Sequence, residues 1–382
     1  MNNYNFKYYI PSRVYFKSGI SEKIGEFIEE LDIKCTLVIT DKNISLLPWY
    51  EVIVENIKDK CNEVIIFDRV HCEPSDEDVN NAIELVRDYS VTGVIGIGGG
   101  SCMDCAKGVA AAISSGSKTI TPFLRPNDKE IKRKVRLILI PTTSGTGAEI
   151  TRGAVLIDKD NNIKRGFGNG GYYADIALID PNFGSSLPKE QIAASGVDAF
   201  CHALESFLVN KNHPICKAWS LLALKLIWEN LPKMYRENDL YSRENMFLAS
   251  LLATMSFSTG VGLTFSHHIS DILGGLYEIP HGFASYYSLP CTVKMFMMKD
   301  KWKSEFEMLE TVFGGNSILD ALERLSIDLQ IPPFDKYFKP FYLKEVDEIY
   351  EKVMNNSYRA TELRGEELYQ VIKESFGRNK NN

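Results

Sequence analysis

Two stretches in the second half of the chain carry side chains able to grip a metal ion. In "ASGVDAFCHALESF" (194–207), Asp198 and His202 stand at i and i+4, so a helix would aim both at one point. Downstream, "FSHHISDILGGLYEIPHG" (265–282) adds His267, His268, Asp271 and His281, so that the two stretches hold four of the six histidines. One carboxylate with three imidazoles suits Fe2+ or Zn2+. Taken singly, each histidine also reads as a packed or surface residue. The Asp-x-x-x-His pair followed by further histidines is what raises the metal reading.

A second chemical feature lies upstream, in "VIGIGGGSCMDCAKGVAAAI" (94–113). β-Branched residues alternating with glycine suit a buried parallel strand, and the alanine-rich continuation suits a helix. Gly98, Gly99 and Gly100 then occupy a strand-to-helix turn. Lacking Cβ atoms, they let backbone approach a phosphate, and Ser101 is placed to cap a helix whose first N–H groups point the same way. Close helix–strand packing is the other use of such glycines. The Walker pattern fails here, because no Gly-Lys-Ser/Thr follows, and a G-x-G-x-x-G match from Gly96 ends on Ser101. Asp104 reads as a partner of the helix dipole and Lys107 as part of a solvent-facing turn.

These groups need a frame to position them. "TLVITD" (36–41), "EVIIFD" (63–68), "GVIGIG" (93–98), "RLILIP" (136–141) and "AVLID" (154–158) read as strands, with helical stretches such as Ser75 to Tyr89 between the first three. That alternation predicts an α/β, doubly wound, mostly parallel sheet. After "LIDPNFGSSLP" (178–188) strand signals stop, and amphipathic stretches such as "LLALKLIWENLPKMY" follow. The reading is an α/β domain over 1–181 and an all-helical domain over 182–382.

Composition narrows the class. The 382 residues exceed one usual core, and 45% hydrophobic with 24% charged is ordinary for a globular enzyme. A net charge of −7 and a pI near 5.6 disfavour nucleic-acid and anionic-membrane partners, "KEIKRKVR" being only a short basic piece. No run of about 18 apolar residues occurs, and "MNNYNFKYY" lacks the apolar core of a signal peptide, so a cytoplasmic location is expected. Eight scattered cysteines fit reduced thiols, and the Cys102–Cys105 pair, with no second pair, reads as helix filling, a redox role staying open.

"GGGSCMDCAK" (98–107), "PTTSGTGAE" (141–149), "VDAFCHALES" (197–206) and "IPHG" (279–282) resemble, in order and separation, the signatures of the iron-containing, or group III, alcohol dehydrogenases. The resemblance spans about residues 10 to 290. It implies an N-terminal dinucleotide-binding domain, a helical C-terminal domain with a metal, and relatives that tend to be oligomers. By the same resemblance Gly98, Gly99, Gly100 and Ser101 hold the cofactor pyrophosphate, with Asp104 ranked below them. Thr142, Thr143 and Thr146 line the cofactor, and Lys164 contacts it. The metal maps onto Asp198, His202, His267 and His281.

Asp41, ending "TLVITD", is placed to accept ribose hydroxyls and to repel a 2′-phosphate, favouring NAD over NADP; a turn aspartate is the plainer role. Where many members of the family carry a second histidine one turn after the position of His267, this chain has Asp271. A fifth, anionic ligand would weaken the ion as a Lewis acid, so Asp271 is expected to orient a ligand, meet water or relay a proton. His268, about 100° round the helix, is expected to pack beside the ligands.

The implied activity is hydride transfer between NAD(H) and a small alcohol or aldehyde, with Fe2+ or Zn2+ as Lewis acid. A dehydroquinate synthase-like or glycerol dehydrogenase-like NAD/metal enzyme and a non-catalytic scaffold of the same fold are the competing readings. No lysine–arginine cluster for a sugar phosphate lies beside the metal motifs. Arg152 is a candidate receptor for an anionic substrate group.

Overall fold

The computed structural model describes residues 6–124, 131–160, 163–209, 213–258, 262–356 and 365–378. The chain divides into two compact units, Ile10–Ser186 and Leu187 onward, the second also taking in the residues up to Tyr9. Phe6 and Tyr8 join it through ring contacts with His213 and Trp219.

In the first unit, β1 (Arg13–Phe16), β2 (Cys35–Ile39), β3 (Glu63–Phe67), β4 (Gly93–Gly98), β5 (Arg136–Pro141) and β8 (Ile176–Ile179) form one parallel sheet in the order β1-β8-β5-β4-β2-β3. Both faces are covered, which is why the strands read as apolar runs. Leu37, Ile39, Val94, Leu137 and Leu139 face one core with α4 (Asp76–Leu85) and α5 (Gly100–Ser114). Val38, Ile95, Ile97, Ile138 and Ile140 face the other, with α1 (Ile24–Glu30), α2 (Lys42–Ser45) and α3 (Pro48–Lys58). Ser75 starts α4 through a capping box with Asp78.

From β2 the chain steps outward to β3, then returns past β2 to β4 and continues the other way. The switch point therefore falls between β2 and β4, where ligands of such sheets bind beyond the strand ends. The segment 154–158 departs from expectation. It belongs to β6 (Gly153–Asp158), which pairs antiparallel with β7 (Ile163–Gly168) in a separate two-stranded sheet. A strand's periodicity is the same in either sheet, so only the pairing could tell them apart.

The second unit consists of α6 (Lys189–Val209), α7 (Pro214–Arg236), α8 (Leu240–Ser258), α9 (Phe265–Tyr277), α10 (His281–Met297), α11 (Lys303–Val312), α12 (Ile318–Asp328), α13 (Leu343–Asn356) and α14 (Gly365–Phe376). By length and composition α6 could cross a membrane, but 94% of that window is buried. It is a core helix, apolar all round because neighbours surround it.

Candidate active site

The helical unit brings three of the four expected ligands to one point. Ligand atoms of Asp198, His267 and His281 all lie within 4.8 Å of one another. Asp198 comes from the middle of α6, His267 from the first turn of α9 and His281 from the first residue of α10. Gly282 makes that convergence feasible: a Cβ there would fall 1.9 Å from the Ala194 carbonyl oxygen and 2.9 Å from Asp198 Cβ. The bare glycine lets α10 start against α6.

His202 stands beside this trio. Its ring stacks on His267 at 4.4 Å between centroids and on Phe257 at 4.6 Å, with Nδ1 4.0 Å from Asp198 Oδ2. Asp271 and His268, both half-buried on α9, are outside the trio.

The electrostatics fit a cation. Burial opposes ionisation of Asp198, but His202, His267 and His281 hold its carboxyl well below the usual range. Burial likewise opposes charge on His267, yet Glu205 and Asp198 on either side of the ring pull it upward, so that a positive charge, a proton or a metal ion in its place, is favoured between the two carboxylates. Asp198 Oδ1 and His267 Nε2 face each other at 3.5 Å, buried and without a hydrogen-bond partner. Enclosed polar atoms left unmatched are costly, and a divalent ion held by carboxylate and imidazole satisfies them.

Glu205 was not singled out by spacing, although it continues the Asp198/His202 face at i+7. Its Oε1 meets His267 Nδ1 at 2.7 Å, and Oε2 accepts the Thr264 N–H at 2.7 Å and the Thr264 hydroxyl. The fully buried Glu205 carboxyl is pulled below its ordinary value, because His267 and Thr264 outweigh desolvation.

In the α/β unit, Ile39 of β2 is level with Gly96 of β4, and two residues further on the chain reaches Asp41 and Gly98. The helix cap differs from expectation. Gly99 is the N-cap of α5 and offers no side chain, while Ser101 lies within the first turn and donates to the Cys72 carbonyl. The N-cap of α5 thus supplies no side-chain acceptor to the first N–H groups of the helix, which lie at the switch point.

The glycines divide their duties. A Cβ on Gly98 would strike Cys102 Sγ at 2.6 Å and one on Gly100 would strike Thr146 Cγ2 at 2.9 Å, so these two serve close packing. Gly99 meets only Thr143 at an ordinary 3.6 Å, so its bare face is open to a ligand. Thr142 is buried at the end of β5.

Other expected positions have partners within the α/β unit. Asp41 Oδ1 caps α2 by accepting from the Asn43 and Ile44 N–H groups, and Oδ2 lies 3.6 Å from Cys102 Sγ. Asp104 turns inward, accepting from the Val155 N–H at 2.9 Å and pairing with Lys107 at 3.5 Å, so it braces β6 rather than facing a cofactor. Lys107 is fully buried, donating to Thr151 Oγ1 and the Gly153 carbonyl, which replaces the solvent-facing role expected for it. Glu149 adds a buried carboxyl near it, a feature hidden in "PTTSGTGAE". Lys164 pairs with Glu73 at 2.5 Å, and Arg152 is exposed. None of the eight cysteines is in a disulfide.

A parallel sheet with an uncapped helix terminus at its switch point, and a helical unit with a buried carboxylate–imidazole trio, define a class: oxidoreductases that use a dinucleotide and a metal ion. The model for iron-containing alcohol dehydrogenase matches residues 11–181, and that for the C-terminal part of the Fe-containing alcohol dehydrogenase family matches 192–333. The chain belongs to the iron-containing alcohol dehydrogenase family. It is 30% identical to 1,3-propanediol dehydrogenase of Klebsiella pneumoniae over 90% of both chains. It is 28% identical to NAD-dependent methanol dehydrogenase of Bacillus methanolicus over 85% of both. The crystal structure of an iron-containing alcohol dehydrogenase from Thermotoga maritima superposes with a TM-score of 0.84 at 29% identity, covering 97% of this chain and 99% of that one.

Proposed function

We propose that the protein is an alcohol dehydrogenase or aldehyde reductase that moves hydride between NAD(H) and a small alcohol or aldehyde, with Fe2+, or Zn2+ in its place, held by Asp198, His267 and His281 and by His202 beside them. The observation that carries this reading is the pair of buried, unmatched atoms Asp198 Oδ1 and His267 Nε2 facing one another, with His281 converging on them. A bound divalent ion supplies Lewis acidity worth several kcal/mol to the oxygen of the reacting carbon. NAD(H) supplies the hydride acceptor or donor.

The chain's own residues do the rest by placement. The first turn of α5, Gly99 and the flanking Thr143 and Thr146 receive the pyrophosphate, Asp41 Oδ2 receives a ribose hydroxyl, and Thr142 and Lys164 bound the same site. Asp271, one turn beyond His267 on α9, orients a ligand histidine, meets water or relays the substrate proton. Short alcohols and diols are the first substrates to try, given the names of the relatives. The acidic net charge and eight cysteines outside any disulfide support a cytoplasmic enzyme without nucleic-acid or membrane partners, and the family resemblance supports a homo-oligomer.

The test uses protein loaded with Fe2+ without oxygen and follows NADH formation from short alcohols and 1,3-diols. Net NADH from a simple alcohol separates this activity from a lyase of dehydroquinate synthase type. His281→Ala should cut metal content and turnover together, turnover by roughly 100-fold or more for the loss of several kcal/mol of charge stabilisation. NADH binding, followed by fluorescence, should persist. Full activity in His281→Ala would remove the metal assignment.

A further inference from the structure

We infer that Glu205 is a positioning residue that fixes which nitrogen of His267 carries its proton, leaving Nε2 bare toward Asp198. The inference rests on the metal site proposed above and deepens it. Asp198 and Glu205 are seven residues apart on α6, two turns along one face. The His267 ring is held between them, with Nε2 3.5 Å from Asp198 Oδ1 and Nδ1 2.7 Å from Glu205 Oε1. The same carboxylate holds the start of α9, because Oε2 accepts both the N–H and the hydroxyl of Thr264, the residue that caps the helix.

Every partner of Glu205 can be a donor, and a carboxylate is the side chain that accepts from all of them while offering no proton. A neutral imidazole carries one N–H. With Nδ1–H committed to Glu205, Nε2 is the lone-pair nitrogen, which is the tautomer a metal ligand needs. Glutamine, of the same shape, reverses this. The Thr264 backbone N–H is an obligatory donor and takes the amide oxygen, so the amide NH2 faces Nδ1. Nδ1 must then accept, and the ring proton moves to Nε2.

The test measures Co2+ affinity of the otherwise intact protein by competition with a coloured chelator, alongside its circular dichroism and the Co2+ absorption spectrum. Glu205→Gln should stay folded and bind NADH as the parent does, yet lose ~10–100-fold in Co2+ affinity, the range seen when ligand-orienting partners of histidine are removed. Its Co2+ spectrum should shift as well. Folded Glu205→Gln with Co2+ affinity within twofold of the parent would overturn the inference. If Glu205→Gln does not fold, nitrogen NMR of histidine-labelled, Zn2+-loaded parent protein decides the matter, the rings being assigned from single His→Gln variants. A proton on Nδ1 of His267 supports the inference and one on Nε2 overturns it. Failure of the parent to bind Co2+ at all would instead strike the metal site, so the two failures are distinct.

Discussion

Glu149 is 3% exposed, and burial pushes its carboxyl up to about 7, against the opposing pull of its own backbone N–H and of Lys107. Because the folded value lies above the unfolded one, this group's relative contribution is fully present below about pH 4.5 and is lost as pH rises through 7. The loss amounts to about 3 kcal/mol, at 1.36 kcal/mol per unit. Glu149→Gln should therefore be more stable than the parent at pH 8 by an amount of that order, with no such gain at pH 4. Unfolding midpoints at both pH values check this. Equal pH dependence in the two proteins would mean that the Glu149 carboxyl is ionised without penalty in the fold.

At the scale of elements, the metal trio depends on how closely the start of α10 meets α6. Nothing flexible separates the Gly282 position from the Ala194 carbonyl, where a Cβ would sit at 1.9 Å, so Gly282→Ala has to push the two helices apart. Such overpacking costs ~1–3 kcal/mol, and the shift should carry His281 away from Asp198. Both the urea midpoint of the metal-free protein and its Co2+ affinity are expected to fall. A lower midpoint with unchanged affinity would show that the strain relaxes elsewhere and that Gly282 does not set the site.

Across the whole molecule, the proposed cofactor residues all lie within Ile10–Ser186 and the proposed metal ligands all lie after Leu187. Each unit has its own buried core. A ligand that binds only the folded state stabilises it by about 2.7 kcal/mol at 100 times its Kd. Hydrogen exchange read on peptides should accordingly slow after Leu187 when metal is added, most of all in α6, α9 and α10. NADH should slow peptides around β4, α5 and the turn after β5. Equal protection of both units by either ligand alone would show that they open as one cooperative body.

What the sequence determined by itself was local. Periodicity was enough for β4, β5 and the helix α5, and for the long helices after residue 187, because it reports which faces are buried. Spacing was enough to put Asp198 and His202 on one face of α6, since a helix fixes i and i+4 wherever it is packed. The tertiary structure decided whatever depends on partners remote in the chain. It placed β6 beside β7 outside the main sheet, turned Asp104 and Lys107 inward against that hairpin, and gave the α5 cap to Gly99. It also brought His281 to the Asp198–His267 pair from another helix, and joined Glu205 to a histidine 62 residues further on. These contacts are set by how helices and strands approach one another, and neither periodicity nor spacing along one element encodes that approach.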